Sequence, residues 1–273
     1  MPELPEVESV RLTLDPFFTG FRIDEVDVRR PDLRDPFPRR FRARMLGQIV
    51  EAFTRRAKYL LATLTSDETL VMHLGMSGWL NVSAPADLKR EIDKHDHVIF
   101  TMSSGAVIAF NDPRRFGMMT LLTPRQLAAH PVLSTLGPEP LSDDFDAAAL
   151  ARACRARKTP LKVALLDQGV VAGLGNIYAA EALHVAGLSP MRAAGMISMP
   201  GGEPRESAYR LARAIKQVLL KAIERQTSKS YRSDRFRVYD RESERCLRPG
   251  CGGTIRRRTQ GGRSTFYCPR CQR

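Results

Sequence analysis

No run of about 18 apolar residues occurs in the chain, so the sequence offers no helix able to span a bilayer. The first residues lack the basic start and apolar stretch of a secretory signal; they are acidic and proline-rich. A soluble, intracellular protein is therefore expected, with no membrane partner. Cysteine is scarce: there are five, and four of them crowd the extreme C-terminus. A disulfide framework does not suit a long chain without a signal peptide. The remaining one, Cys154 in "LARACRARK", reads as a small apolar residue on a helix. Acidic residues are also in deficit: 30 against 43 basic ones, for a net charge of +13.

That charge favours a polyanionic partner. A compositional bias would explain some of it, because arginine outnumbers lysine 35 to 8. The distribution argues for a surface instead. From Gln226 to Arg273 there are 13 basic and 4 acidic residues, a local net charge of +9. No basic amphipathic helix with an exposed apolar face accompanies it, so nucleic acid is the expected partner.

A chain of 273 residues with 43% hydrophobic content supports one large or two ordinary domains. After an N-terminal helix, "FRIDEVDVRR" and "GQIVEAFTRRAKYLLATL" alternate apolar and polar residues, as strands do. "HVIFTMSSGAVIAF" reads as a hairpin about Ser104-Gly105. Residues 1–123 thus form a helix plus a β-rich sandwich or flattened barrel. A proline-rich linker over 124–142 follows. Residues 143–238 show helical periodicity in "DAAALARACRARK", "TPLKVALLDQ", "NIYAAEALHVAG" and "ESAYRLARAIKQVLLKAIERQ". Residues 239–273 form a cysteine-bounded appendage. Two domains with a cleft between them are expected.

Cys246, Cys251, Cys268 and Cys271 carry the strongest local signal. Their spacing, C-x4-C-x16-C-x2-C, brings two close pairs of thiolates to one tetrahedral zinc. The 16-residue span is long enough for a hairpin, and Gly261-Gly262 provides the positive φ angles of a tight turn. Four cysteines leave no open coordination position, so the zinc is structural. Arg263 lies at the turn, where it is either a groove-entering residue or a solvated arginine.

Other stretches admit two readings each. In "LLDQGVVAGLGNIYAAEAL", Asn176 falls where a helix begins and is placed to cap it. Glycines before a helix N-terminus suit a phosphate, and equally a plain connection. In "FNDPRRFG", Phe116 is a wedge that enters DNA or a ring tucked inward. Met76 in "HLGMSG" is a wedge or a core residue. Lys58 in "RRAKYLL" shares a strand face with Arg56 and Leu60. His95 and His97 in "KHDHV" are metal ligands, which would need a further ligand nearby, or more ordinarily polar loop residues or phosphate contacts. At the N-terminus, "MPELPEVESV" starts a helix at Pro5, with Glu6 and Glu8 in its first turn. Pro2-Glu3 is not explained by that. Removal of Met1 would expose a secondary amine next to an acid, and a free N-terminal amine ordinarily titrates at roughly pH 8.

In order along the chain, "PELPEVE", "RRAKYLL", "HLGMSG", "KHDHV", "DPRRFG", "LGPEPLSDDF", "GLGNIYAAE" and "RSTFYCPRCQ" closely resemble bacterial formamidopyrimidine-DNA glycosylases. The resemblance implies an α+β fold: a β-sandwich flanked by helices, a helix–two-turn–helix domain, and a zinc finger. It implies excision of 8-oxoguanine and formamidopyrimidines from damaged double-stranded DNA, then nicking of the abasic site. Carried over, Pro2 is the nucleophile and Glu3 its acid/base partner, while Lys58 and Arg263 assist elimination. Met76, Arg114 and Phe116 fill the hole left by the everted base. Glu6, His95, Arg114, Arg157, Lys162, Asn176 and Tyr178 complete the DNA-binding set. One structural zinc and no dissociable catalytic cofactor are implied, in a monomer associated with the bacterial nucleoid.

Two departures stand out. The first cysteine pair encloses four residues where the family usually has two, so a bulged knuckle is expected. Between the helix ending near Gln226 and "RVYDRE", only "TSKSYRSDRF" stands where the family carries a longer loop over the everted base. Three rivals share parts of the pattern. A non-catalytic zinc-ribbon protein gives Pro2 no role. An endonuclease VIII-like enzyme would prefer oxidised pyrimidines. A DNA-bending protein would ignore damage.

Overall fold

The computed structural model describes residues 1–84, 91–227 and 236–273. The chain divides into two compact units, Met1–Ser134 and Thr135–Arg273.

The first unit begins with α1 (Leu4–Phe18), one residue earlier than Pro5 suggests. Leu4, Val7, Val10, Leu14 and Phe18 recur every three or four residues, and all are buried. Burying each such side chain contributes about 1.5–3 kcal/mol. Val7, Val10, Leu14 and Phe18 meet a core shared by two four-stranded antiparallel sheets. One sheet has the order β1 (Ile23–Val28), β6 (Asp96–Met102), β7 (Val107–Asn111), β5 (Trp79–Ser83). The other has the order β2 (Val50–Arg56), β3 (Tyr59–Leu64), β4 (Thr69–His73), β8 (Met118–Leu122). Phe18 meets Phe53 of β2 edge-on at 5.2 Å and lies 6.0 Å from Phe100 of β6, so the helix end is anchored to both sheets. The architecture is a β-sandwich. A short helix α2 (Phe41–Met45) lies between β1 and β2.

One local expectation is corrected here. Lys58 is not on a strand face. Arg56 pairs with Tyr59, so Ala57 and Lys58 form the turn of the β2–β3 hairpin, with Ala57 in the left-handed region at φ 53°. Beyond the sandwich, α3 (Pro124–Ala128) lies at the start of the 124–142 stretch, capped by a reciprocal box between Thr123 and Gln126.

The second unit is helical. Asp146 caps α4 (Ala147–Cys154), accepting from the Ala149 N–H at 2.7 Å. Next come α5 (Leu161–Leu166) and α6 (Asn176–Ala186), then the 22-residue α7 (Glu206–Thr227). The link from α5 to α6 is two turns held by one side chain. Gln168 donates to the Leu166 and Leu174 carbonyls and accepts from the Gly173 N–H at 3.0 Å. Leu211, Ile215, Val218, Leu219 and Ala222 form the buried stripe of α7, which packs against α4 and α6. The chain ends in a hairpin of β9 (Arg256–Gln260) and β10 (Arg263–Tyr267). Gln260 pairs with Arg263, leaving Gly261-Gly262 as the turn at φ 53° and 72°. Only glycine occupies two successive left-handed positions cheaply, so the sequence selects this turn. Cys154 is buried, and burial pushes its thiol up to about 11, as befits a core residue. No helix among the described residues is long and apolar enough to cross a membrane.

Candidate active site

Pro2 is half-buried and immediately precedes the cap of α1. Glu3 is that cap. Its backbone N–H donates to the Glu6 carboxylate at 2.8 Å, while its own carboxylate accepts from the Glu6 N–H. The reciprocal pair holds the Glu3 carboxyl group beside Pro2 with only 2% of the residue exposed. Glu6 therefore positions Glu3. α1 is carried on β2, β3 and β5.

Lys58, at the β2–β3 turn, lies within electrostatic reach of His73 at the end of β4. The His73 ring stands 4.8 Å from that of Tyr59. Burial first, then the charges of Lys58 and Arg34, hold the His73 imidazole down to about 4. Its Nδ1 accepts from the Gly75 N–H at 3.0 Å, so the neutral ring carries its proton on Nε2. His73 is a half-buried neutral donor beside a cation, and no spacing rule singled it out.

Beyond His73, two turns meet backbone to backbone. The first, Leu74–Gly78, presents Met76; the second, Asp112–Gly117, presents Arg114 and Phe116. Met76 is 43% exposed and Phe116 45%, so neither is a core residue. The Arg114 guanidinium sits over the Phe116 ring, 5.1 Å from its centroid. His95 is half-buried and accepts from the Asp112 N–H through its carbonyl. His97 is buried, its Nε2 2.9 Å from the Asp112 carbonyl, which makes it a structural residue. Met76, His95, Arg114 and Phe116 thus fall on connected turns of the sandwich, while Lys58 lies within electrostatic reach of His73 at the end of β4.

In the helical unit Asn176 is the first residue of α6, and Gly175 occupies the cap position without a side-chain bond. The expected capping by Asn176 is therefore corrected. Its Nδ2 donates to the Ser264 carbonyl at 3.0 Å and its Oδ1 accepts from Lys162 Nζ. Lys162 also reaches the Ser264 carbonyl, at 3.4 Å. Lys162 is fully buried and Tyr178 is 3% exposed, so neither side chain is available to DNA. The Lys162 ammonium instead orients Asn176, and Tyr178 packs beneath α7, where Gln226 lies 3.5 Å from its hydroxyl. Arg157 is exposed and paired with Asp167 at 2.8 Å. That guanidinium, with the Gly169 N–H, holds the Asp167 carboxyl below its ordinary range. Arg263 is exposed beside the glycine turn, one residue before Ser264.

The four C-terminal cysteines are free thiols whose sulfurs all lie within 4.8 Å of one another. Cys246 and Cys271 are separated by 3.8 Å, and Cys251 and Cys268 by 3.6 Å. A tetrahedron with metal–sulfur bonds of about 2.3 Å has edges of about 3.8 Å, so the four thiols fit one metal ion. The wider first knuckle is closed by the Cys251 N–H donating to the Arg248 carbonyl at 3.0 Å. His184, one turn from the end of α6, places Nε2 at 3.3 Å from Cys246 Sγ.

Family models cover nearly the whole chain. The formamidopyrimidine-DNA glycosylase N-terminal domain matches residues 1–119, and the H2TH domain of the same enzymes matches 136–233. The zinc finger found in FPG and IleRS matches 243–273. The formamidopyrimidine-DNA glycosylase of Beijerinckia indica is 52% identical over 288 residues, covering 100% of both chains. The chain belongs to the formamidopyrimidine-DNA glycosylase family. That of Bradyrhizobium diazoefficiens is 53% identical over 293 residues, again covering 100% of both. Among solved structures, the Lactococcus lactis glycosylase bound non-covalently to DNA containing an AP site superposes with a TM-score of 0.85 at 31% identity, covering 99% of each chain. MutM (FPG) from Thermus thermophilus gives 0.81 at 37% identity, covering 99% of this chain and 98% of that one. A MutM complex with DNA containing carbocyclic 8-oxo-G gives 0.84 at 33%, covering 100% of both.

Sequence reasoning missed several of the groups that hold these residues in place. Asp112, Ser77 and the Ser264 carbonyl act through partners far along the chain, and local spacing does not reveal such pairs. A cleft of about 490 Å³ between α6, α7 and the cysteine knuckle contains only Tyr178 of the expected set.

Proposed function

We propose that this protein is a bifunctional DNA glycosylase and abasic-site lyase of base excision repair, directed at oxidised purines, with Pro2 as its nucleophile. The observation that carries the reading is Pro2 beside a buried, fixed Glu3 at the head of a family-matched chain. Relatives of matching fold are bound to DNA containing an AP site and to DNA containing carbocyclic 8-oxo-G, which supports damaged duplex as the substrate.

Once Met1 is removed, the Pro2 nitrogen carries a free lone pair. The damaged nucleotide must leave the stack before its sugar carbon is accessible. Nitrogen attack at C1′ then breaks the glycosidic bond, and the base departs with a proton. Glu3 protonates the ring oxygen as the sugar opens. A secondary amine can give only a cationic imine, which acidifies the C2′ proton. Loss of that proton expels the 3′ phosphate, and a second elimination expels the 5′ phosphate. Water hydrolyses the imine and frees Pro2.

Lys58 and Arg263 stabilise phosphate charge, which grows as each leaving group departs. His73 offers a neutral Nε2–H, and Asn176 and Arg157 hold the backbone. Met76, Arg114 and Phe116 enter the space left by the everted nucleotide and offset the cost of unstacking. One zinc held by Cys246, Cys251, Cys268 and Cys271 would fix the β9–β10 turn that presents Arg263. The protein would act as a monomer in the bacterial nucleoid.

The deciding experiment is borohydride trapping on abasic DNA, followed by peptide mapping. The adduct should sit on the N-terminal proline. An adduct on Lys58, or full trapping by a Pro2→Gly variant that retains Met1, would refute the assignment. A panel of 8-oxoguanine, formamidopyrimidine and oxidised pyrimidine duplexes tests the substrate class.

A further inference from the structure

Asp112 lies at the centre of the two turns that bear Met76, Arg114 and Phe116, yet it is fully buried and cannot itself meet DNA. Its carboxyl group is satisfied from both turns. Ser77 Oγ donates to Oδ1 at 2.6 Å across the gap between them. The Arg114 N–H is shared between that Oδ1 and Ser77 Oγ, each at 3.3 Å. The Gly117 N–H donates to Oδ2 at 2.7 Å. Its main chain is also engaged: its N–H donates to the His95 carbonyl at 3.0 Å, and its carbonyl faces His97 Nε2 at 2.9 Å.

The turns also touch directly. Gly75 adopts φ +62°, and a Cβ there would lie 2.3 Å from the Phe116 carbonyl carbon. No side chain fits, so the turns lie in backbone contact with Ser77–Asp112 as their side-chain tie.

We infer that Asp112 and Ser77 form a latch that makes Met76, Arg114 and Phe116 one pre-assembled insert, so that Asp112 is a positioning residue for base eversion. This rests on the void-filling role proposed above. Two exposed apolar side chains on independent turns would each lose conformational freedom on entering a duplex. A shared buried carboxyl group removes that freedom in advance, which is the general advantage of preorganisation. Asp112 suits the task because one carboxyl group accepts from three donors, two backbone and one hydroxyl. Asparagine would turn half of it into a donor facing the Gly117 N–H or the Ser77 side.

The latch makes a prediction that separates it from a merely structural buried acid. Removing it should slow insertion into an intact base pair. It should affect cleavage at a pre-formed abasic site much less, because no base has to be driven out there. The test uses the full-length protein with Ser77→Ala, Ser77→Thr, Asp112→Asn and Met76→Ala variants. A duplex with 2-aminopurine next to 8-oxoguanine reports insertion by stopped-flow fluorescence, and abasic-site nicking is followed in parallel. Ser77→Ala should slow the insertion phase about tenfold, the effect of one buried hydrogen bond. Ser77→Thr, which keeps the hydroxyl, should restore the native rate. Asp112→Asn should be slower than Ser77→Ala. Abasic nicking by Ser77→Ala should stay within about twofold of native. The latch is overturned if Ser77→Ala inserts at the native rate, or if it loses insertion and abasic nicking equally. Met76→Ala separates the two ideas. If it slows insertion while Ser77→Ala does not, the latch alone falls. If it does not slow insertion, the void-filling role falls and takes the latch with it.

Discussion

Asn176 opens helix α6 with its side-chain amide donating to the Ser264 carbonyl at 3.0 Å, so the first turn of the helix is tied to the strand that follows the Arg263 turn. Lys162 completes the tie from below, bonded to both.

Burial decides what Lys162 can do. An exposed cation on phosphate releases counterions, whereas a buried one does not. Lys162→Met keeps much of the side-chain length and leaves Asn176 Oδ1 without its ammonium donor. DNA affinity should fall about tenfold, with an unchanged slope of log affinity against log salt. Arg157→Ala should also weaken binding but reduce that slope by about one. Fluorescence anisotropy on an abasic-analogue duplex at several salt concentrations reads both. A reduced slope for Lys162→Met would mean that its ammonium reaches phosphate after all.

The cysteine cluster predicts that one zinc per chain is found by metal analysis. Cys268→Ser should lose the metal and, with it, DNA cleavage. Arg263→Ala should keep the metal, because its side chain is exposed and outside the sulfur cluster, while strand cleavage and affinity weaken. Normal cleavage by fully chelated protein would show that the hairpin is not needed.

These contrasts indicate which features the sequence makes legible. The zinc hairpin is readable because its ligands and glycine turn follow local spacing rules. Phe116 and Met76 are readable only as pairs of alternatives, since exposure is a tertiary fact; the structure exposes both. The Lys58 turn is hidden because Ala57 takes φ 53° with no glycine or asparagine to mark it. Asn176 looks like a cap locally, but its partners lie 14 and 88 residues away. The burial of Lys162 is hidden because lysine is almost never fully buried unless paired, and sequence spacing does not show the pairing.

His73 should leave a signature in acid. Its folded-state value is depressed from 6.5 to about 4, so between those limits the unfolded chain binds the extra proton. Stability from this group is therefore present above about pH 6.5 and is lost as pH falls towards 4. The linkage amounts to about 2 kcal/mol at pH 5. Denaturant unfolding of the native protein and of His73→Gln at pH 7 and pH 5 isolates the term. The native protein should lose about that much more on acidification. Equal losses would mean that the imidazole is not held neutral. At neutral pH the ring carries no charge, so His73→Gln should leave the salt dependence of DNA binding unchanged.

The last prediction concerns base selection. Residues 228–235, which hold most of "TSKSYRSDRF", lie outside the described residues, so it rests on length alone. Alignment to the Beijerinckia indica relative runs over 288 residues for a chain of 273, consistent with about 15 missing positions. We propose that they fall here, in the loop that the family resemblance places over the everted base. A site that hydrogen-bonds its base discriminates strongly, because the wrong base leaves polar groups unpaired. Losing about two such bonds would remove on the order of 2 kcal/mol, or some thirtyfold, of selectivity. Choice would then depend more on how easily a lesion leaves the stack and on the opposite base, which Arg114 is proposed to contact. Ring-opened purines stack and pair poorly, so they should be excised faster than 8-oxoguanine. Single-turnover excision of both lesions, by the native protein and by a chimera carrying a longer loop, measures this. The native enzyme should favour the formamidopyrimidine, and the inserted loop should raise the 8-oxoguanine rate. Equal native rates that the insertion leaves unchanged would show that the loop has no part in selection.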